Sequence, residues 1–111
     1  MKTTRSRLLL TTLAALSLPA LALADAQANW TKMCARCHAA DGSGSTKVGK
    51  KLGLKDYTTA DGQKFTDEEG LKAIVEGVKD DAGKEKMPAY KEKLSEDDSK
   101  ALVAFVRGLK K

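Results

Sequence analysis

Five consecutive residues, Cys34-Ala35-Arg36-Cys37-His38, combine two thiols and an imidazole at fixed spacing. On a helix, residues three apart lie on one face, so both thiols can reach the two vinyl groups of a single haem. The imidazole follows directly and can turn towards the iron. The motif therefore predicts one covalently bound haem c, attached through Cys34 and Cys37, with His38 as an axial ligand of the iron.

The two cysteines have three other possible uses: a redox dithiol, a structural zinc site and a simple disulfide. A thioredoxin-type dithiol opens a helix after a strand, and no strand pattern precedes Cys34. Structural zinc needs four ligands, whereas the chain offers only Cys34, Cys37 and His38 as strong ones. A disulfide between the two cysteines remains an alternative interpretation, but the specificity of the five-residue motif favours haem over all three uses.

The second axial ligand is sought among the remaining side chains that bind iron. His38 is the only histidine, which excludes ligation by two histidines of one chain. Met33 lies beside Cys34 on the proximal side. Met87 follows His38 by 49 residues, in a loop that can cross to the other face of the haem, and Pro88 favours an extended backbone at Met87. Met87 is the predicted sixth ligand, and an open or lysine-bound position is the alternative.

Three helices with long loops between them must position these groups, and no stretch alternates clearly enough to predict a strand. The first helix covers roughly residues 26–38 by its periodicity, and its apolar face carries Trp30, Met33, Cys34 and Cys37. The second begins with a capping box of Thr66 and Glu69, and its apolar face carries Leu71, Ile74, Val75 and Val78. The third begins at Ser95, and its apolar face carries Ala101, Leu102, Phe105, Val106 and Leu109. We expect an all-α domain whose loops, 39–65 (with room for a helical turn) and 79–94, wrap around the haem.

The first 24 residues have the pattern of a cleaved secretory signal peptide. A basic start precedes the apolar run 8–18, Pro19 breaks the helix, and Ala22-Leu23-Ala24 offers a cleavage site. An uncleaved membrane anchor is the alternative, but residues 8–24 fall short of the ~20 that a spanning helix needs. We therefore expect a mature domain over 25–111 (or two residues shorter, by cleavage after Ala26), exported to the periplasm.

Composition supports a small domain completed by a cofactor. The leader carries three of the 20 basic residues and no acidic one, so the formal net charge falls from +5 to about +2 without it. That balance excludes nucleic-acid binding as the explanation of the basic composition. A single Cys pair two residues apart closes too small a loop to stabilise the chain much, so a bound cofactor is expected to complete the core.

Taken together, these residues resemble a small class I c-type cytochrome, with one haem and His/Met ligation. The resemblance covers 25–111 and rests on Trp30 four residues before Cys34, the C-A-R-C-H motif, the M-P-A-Y segment at 87–90 and the helix at 102–109. It implies a cytochrome c-like fold in which the N- and C-terminal helices cross beside the haem at Trp30, Leu102 and Phe105. Many members place a proline after the histidine to orient its ring, but residues 39–65 contain none. Some other backbone carbonyl is expected to accept from His38.

A haem iron with both axial positions filled predicts a soluble one-electron carrier in a respiratory or similar chain, not an enzyme. It would serve periplasmic or membrane redox partners as a monomer, through transient contacts. The alternative is a haem sensor or small peroxidase-like module with a displaceable sixth ligand; a domain of a larger enzyme is a third possibility.

Basic side chains near the motif and near Met87 could steer acidic partners: Lys32, Arg36, Lys47, Lys50, Lys51, Lys84, Lys86, Lys91 and Lys93. Three loop hydroxyls could hydrogen-bond the haem propionates: Tyr57, Thr58 and Thr59.

Overall fold

The computed structural model describes residues 20–111, so most of the expected signal peptide, with its basic start and apolar run, lies outside the described residues. The elements, in chain order, are α1 (Ala20–Asn29), a π-helical turn (Trp30–Cys34), α2 (Ala35–His38), α3 (Lys47–Leu52), α4 (Asp67–Glu76), β1 (Val78–Lys79), β2 (Glu85–Met87) and α5 (Glu96–Arg107). Within residues 20–111, no helix is both long and apolar enough to cross a membrane.

The two longer internal helices begin where side-chain capping predicts. At the start of α4 the Thr66 hydroxyl accepts from the Glu69 amide, and the Glu69 carboxylate accepts from the Thr66 amide. Ser95 and Asp98 make the same reciprocal pair at the start of α5. Each box satisfies two backbone donors that would otherwise lack partners, and it fixes the residue at which the helix starts.

The core lies where α1 and the π turn cross α5. Leu102 is 1% exposed and Trp30 4% exposed, and the rings of Trp30 and Phe105 lie 5.5 Å apart between centroids. Ala26 and Val106 complete the buried contact between the two helices. Because a buried leucine contributes about 2–5 kcal/mol relative to alanine, this crossing is a main source of stability. The expected contact of Trp30, Leu102 and Phe105 is confirmed.

Two expectations about local structure are wrong. The helical periodicity that included Val78 ends early, because Gly77 terminates α4 and Val78 begins strand β1. An antiparallel hairpin occupies the second loop, where no strand was expected. Val78 pairs with Met87 and Lys79 pairs with Glu85, so the register shifts between these two pairs. The first loop does contain a helical turn, α3, whose start is capped by the Thr46 hydroxyl.

Candidate functional site

A cavity of about 500 Å³ lies between residues 30–38, hereafter the attachment segment, and α4, α5 and the hairpin. The four side chains that the sequence assigns to haem all line it: Cys34, Cys37, His38 and Met87. Much of the remaining wall is apolar and includes Leu54, Phe65, Ile74, Leu102 and Val106. The structure thus brings two thiols, an imidazole and a thioether to one largely apolar enclosure.

The attachment segment departs from regular α-helix at the π turn. There the Ala35 amide donates to the Trp30 carbonyl, five residues back rather than four. Cys34, the last residue of the turn, is 8% exposed, whereas Cys37 is half-buried, and both thiols are free. Burial, together with the nearby Cys37, raises the pKa of the Cys34 thiol to about 11. The unattached Cys34 is therefore a neutral thiol at neutral pH, suited to an apolar cavity.

His38 follows at the end of α2 and packs between two aromatic rings. Its ring centroid lies 5.5 Å from that of Trp30 and 5.6 Å from that of Tyr57. Burial lowers the pKa of His38, which favours the neutral imidazole that binds iron. Its Nδ1 atom is buried without a hydrogen-bond partner in the structure.

The expectation that a backbone carbonyl accepts from the His38 ring is therefore wrong for Nδ1. The carbonyls that follow along the chain, those of Ala39 and Ala40, accept from the Trp30 indole instead, at 3.1 and 3.2 Å. The backbone around the histidine is held all the same. The Gly44 amide donates to the His38 carbonyl at 2.8 Å, and the Thr46 hydroxyl donates to the Cys37 carbonyl at 2.6 Å.

Met87 reaches the cavity from strand β2 rather than from a free loop. The hairpin turn is closed by the Asp80 carboxylate, which accepts from the amides of Ala82 and Lys84 at 3.0 and 2.8 Å. Asp80 and Lys84 also share a backbone bond. The Met87 side chain is half-buried, and Pro88 lines the same cavity. The hairpin thus gives Met87 a defined backbone position opposite Val78.

Tyr90, just beyond Met87, ties this side of the cavity to two other elements. Its backbone amide donates to the Ile74 carbonyl in α4 at 2.9 Å. Its hydroxyl donates to the Met33 carbonyl in the π turn at 3.2 Å. Burial raises the pKa of Tyr90, so the hydroxyl stays protonated and able to donate at neutral pH. The segment that carries Met87 and the segment that carries the cysteines are therefore directly connected.

A further wall of the cavity is fixed by Arg107, at the end of α5. Its guanidinium donates to the carbonyls of Gln63, at 2.7 Å, and of Phe65, and it lies 4.0 Å from the centroid of the Phe65 ring. It also pairs with Asp67 at 3.1 Å. The side-chain amide of Gln63 donates in turn to the Tyr57 carbonyl at 2.7 Å. Sequence reasoning missed this cluster, which joins residues 44 apart and has no local pattern.

Of the three hydroxyls considered for haem propionates, only Tyr57 lines the cavity. The Thr58 hydroxyl is bonded to the Asp56 carboxylate, and the Thr59 hydroxyl donates to the Asp56 carbonyl at 2.8 Å. Both threonines therefore stabilise their own turn. Burial raises the pKa of Tyr57, so its hydroxyl is a neutral donor.

The nine basic side chains that the sequence groups around the site are all exposed. Within residues 20–111, none of the nine forms a salt bridge. Lys86 and Lys55 are exposed residues that also line the cavity. Their positive charges are thus available to a partner that approaches the site.

The donor set fits haem better than the alternatives. Over the described residues, no three His, Cys, Asp or Glu side chains lie close enough to hold a metal ion, which disfavours zinc. No strand precedes the two cysteines within residues 20–111, which disfavours a thioredoxin-type dithiol. The thiols, the buried unpartnered imidazole and the methionine share one apolar cavity, as a covalently attached, axially ligated haem requires.

Comparisons with known proteins agree with this assignment. Residues 21–106 match the family model described as Cytochrome C oxidase, cbb3-type, subunit III. Among solved structures, the chain is similar to KustC0563 c-type cytochrome, with 36% identity and a TM-score of 0.67 over 78% of this chain and 99% of that one. A tyrosine-to-phenylalanine mutant of Kustc0563 matches with the same identity and coverage and a TM-score of 0.64. No curated protein sequence matches the chain.

Proposed function

Because this chain belongs to the c-type cytochromes, in the family described as subunit III of cbb3-type cytochrome c oxidase, we propose that it is a one-electron carrier. One haem c is attached through Cys34 and Cys37, and His38 and Met87 are its axial ligands. The family implies covalently bound haem and electron transfer. The ligands, the number of haems and the carrier role are our proposal.

The observation that carries this proposal is the meeting of His38 and Met87 at one cavity from different elements. His38 comes from the end of the attachment segment and Met87 from the hairpin, 49 residues later in the chain. Met33 also lines the cavity, but it belongs to the same turn as Cys34. Met87 is therefore the methionine that belongs to an element separate from the attachment segment, which supports it as the second ligand.

The residues around the cavity explain how such a site would transfer electrons rather than bind substrates. Bound haem supplies a Fe(III)/Fe(II) couple. The Met87 thioether favours the reduced state, and the apolar wall formed by Phe65, Ile74 and Leu102 excludes water and acts in the same direction. The hairpin and Tyr90 hold the Met87 backbone in place. A sixth position occupied by protein leaves no coordination site for oxygen or peroxide.

The exposed lysines support our proposal for the redox partners, and the leader supports our proposal for the cellular location. Exposed lysines that line the cavity, Lys55 and Lys86, suit transient docking to acidic patches of periplasmic or membrane redox proteins. Export to the periplasm, with removal of residues 1–24, agrees with the site of action of such carriers. A monomer suffices for this role.

A second candidate function is an electron-transfer domain fixed to a larger redox enzyme. The observation in its favour is the family description, which names an oxidase subunit. The match to 99% of KustC0563 c-type cytochrome favours the small carrier instead.

Visible absorption spectra of the exported, haem-loaded protein test the proposal. Spectra are taken oxidised, reduced, and reduced under CO, for the native chain, for Met87→Leu and for the matched control Met33→Leu. We expect a low-spin c-type spectrum indifferent to CO for the native chain and the control, and CO binding with a lowered potential for Met87→Leu.

Each of the other outcomes supports a different function or ligand, or refutes the proposal. Ready CO binding by the native protein favours the sensor or peroxidase-like alternative. A Met87→Leu spectrum and potential equal to the native ones would show that another group is the sixth ligand. Absence of covalent haem, when the same maturation machinery loads a control cytochrome, would refute the central claim.

A further inference from the structure

Gly77, between α4 and β1, has a backbone conformation that strongly favours glycine, and a contact that only a residue without a side chain permits. Its φ of 75° and ψ of −178° fall in a region that residues with a side chain rarely adopt. A Cβ atom built there would lie 2.5 Å from the Met87 carbonyl oxygen and 2.9 Å from the Ala89 amide nitrogen. The backbone of 87–89 therefore lies directly against the end of α4 because residue 77 has no side chain.

We propose that Gly77 is a positioning residue for the sixth ligand: its bare Cα lets the Met87 backbone approach closely enough for the side chain to reach the iron. This inference rests on the proposed role of Met87. In this proposal Gly77 does not contact haem. It controls only the position of strand β2, which carries Met87.

The segment near Gly77 has little freedom to move aside. On one side, Val78 is paired with Met87 in the hairpin. On the other, the Tyr90 amide donates to the Ile74 carbonyl at 2.9 Å. Apolar and polar heavy atoms normally stay about 3.5–4.0 Å from a carbon, so a Cβ at residue 77 requires a shift of roughly 1 Å. Either the hairpin pairing or the α4 contact must yield, and Met87 moves in both cases.

Gly83, in the turn of the same hairpin, is a matched control. It too has a positive φ, 78°, but a Cβ at Gly83 would meet nothing within 4 Å. Gly83→Ala therefore adds backbone strain without displacing a neighbour. Gly77→Ala adds backbone strain and also pushes on Met87. The difference between the two variants reports the close approach, together with any backbone strain at residue 77 beyond that at residue 83.

The experiment uses haem-loaded native protein, Gly77→Ala, Gly83→Ala and Met87→Leu. CO titration of the reduced protein measures how readily the sixth position opens, and the methionine–iron charge-transfer band and the potential report the ligand itself. We expect Gly77→Ala to raise apparent CO affinity about tenfold or more over Gly83→Ala, since that affinity scales with the open fraction. Its charge-transfer band should weaken and its potential fall, whereas Gly83→Ala should match the native protein.

Suppose that Met87→Leu shows the expected changes. The inference is then overturned if Gly77→Ala and Gly83→Ala have the same CO affinity, the same charge-transfer band and the same potential. If Met87→Leu itself changes nothing, the proposed ligand fails and this inference fails with it. Should Gly77→Ala not fold, a glycine inserted after Gly77 displaces the strand without a clashing Cβ. Its control is a glycine inserted after Gly83, and equal CO affinity of that pair would likewise overturn the inference.

Discussion

Arg107 lies outside the haem cavity, yet we expect its removal to be among the most destabilising changes at the surface of this domain. Arg107→Ala removes charge-assisted bonds to the carbonyls of Gln63 and Phe65, and the contact with the Phe65 ring. Hydrogen bonds to charged groups contribute about 1.5–3 kcal/mol each, and an exposed cation–π contact about 0.5–1 kcal/mol. Because the side chain is 35% exposed, we take the lower end of each range, about 3.5 kcal/mol in all. For a domain of this size that corresponds to a fall in Tm of roughly 14–28 °C.

Urea unfolding of the haem-loaded protein, followed by absorbance and Trp30 fluorescence, measures the effect. Asp67→Asn is the control, because it removes the salt bridge to a carboxylate that is 78% exposed, together with one first-turn charge of α4, and leaves both carbonyl bonds intact. That change should cost no more than about 1 kcal/mol. Arg107→Lys should fall between the two, since an ammonium cannot reach both carbonyls in a fixed fork. If Arg107→Ala were no more destabilising than Asp67→Asn, the two carbonyl bonds would contribute nothing and our account of this wall would be wrong.

Three further predictions concern the attachment site, the segment beyond Met87 and the surface. Cys34→Ser together with Cys37→Ser should abolish covalent attachment and leave a chain without cooperative unfolding by circular dichroism; a cooperatively folded apo-protein would contradict the view that haem completes the core. Tyr90→Phe removes the hydroxyl bond to the π turn and should lower the free energy of unfolding by about 1 kcal/mol in urea titrations, and an unchanged midpoint would show that the bond contributes nothing. Electron transfer to an acidic redox protein, measured by stopped flow, should slow as salt rises from 10 to about 200 mM, and a flat rate would exclude electrostatic steering.

The sequence was informative wherever a feature depends on neighbouring residues. The capping box at Thr66 and the start of α5 at Ser95 involve residues three apart, and both helices begin there. The attachment motif is likewise local, and its cysteines and histidine meet at one cavity. Elimination among the side chains that bind iron predicts Met87 as the sixth ligand. Met87 does line that cavity, and its bond to iron stays a prediction.

What the sequence did not reveal depends on distant contacts or on single backbone bonds. The hairpin has only a few paired residues, largely polar, so its sequence shows no alternation, and Val78 fits the helical period until Gly77 ends the helix. The π turn differs from an α-helix by one hydrogen-bond register, which composition does not encode. The Arg107 cluster links Arg107 to residues 40 to 44 positions earlier in the chain.

The crossing of α1 with α5 joins the first and last helices of the described chain. If the leader directs export from the N-terminus, as we propose, the attachment segment crosses the membrane early and α5 crosses last. Until α5 arrives, Leu102 and Val106 are missing from the cavity wall, so Cys34 and Cys37 stay open to the proteins that attach haem. The order of the chain thus lets covalent attachment begin before the last helix is exported, and a chain truncated before Glu96 should still acquire covalent haem.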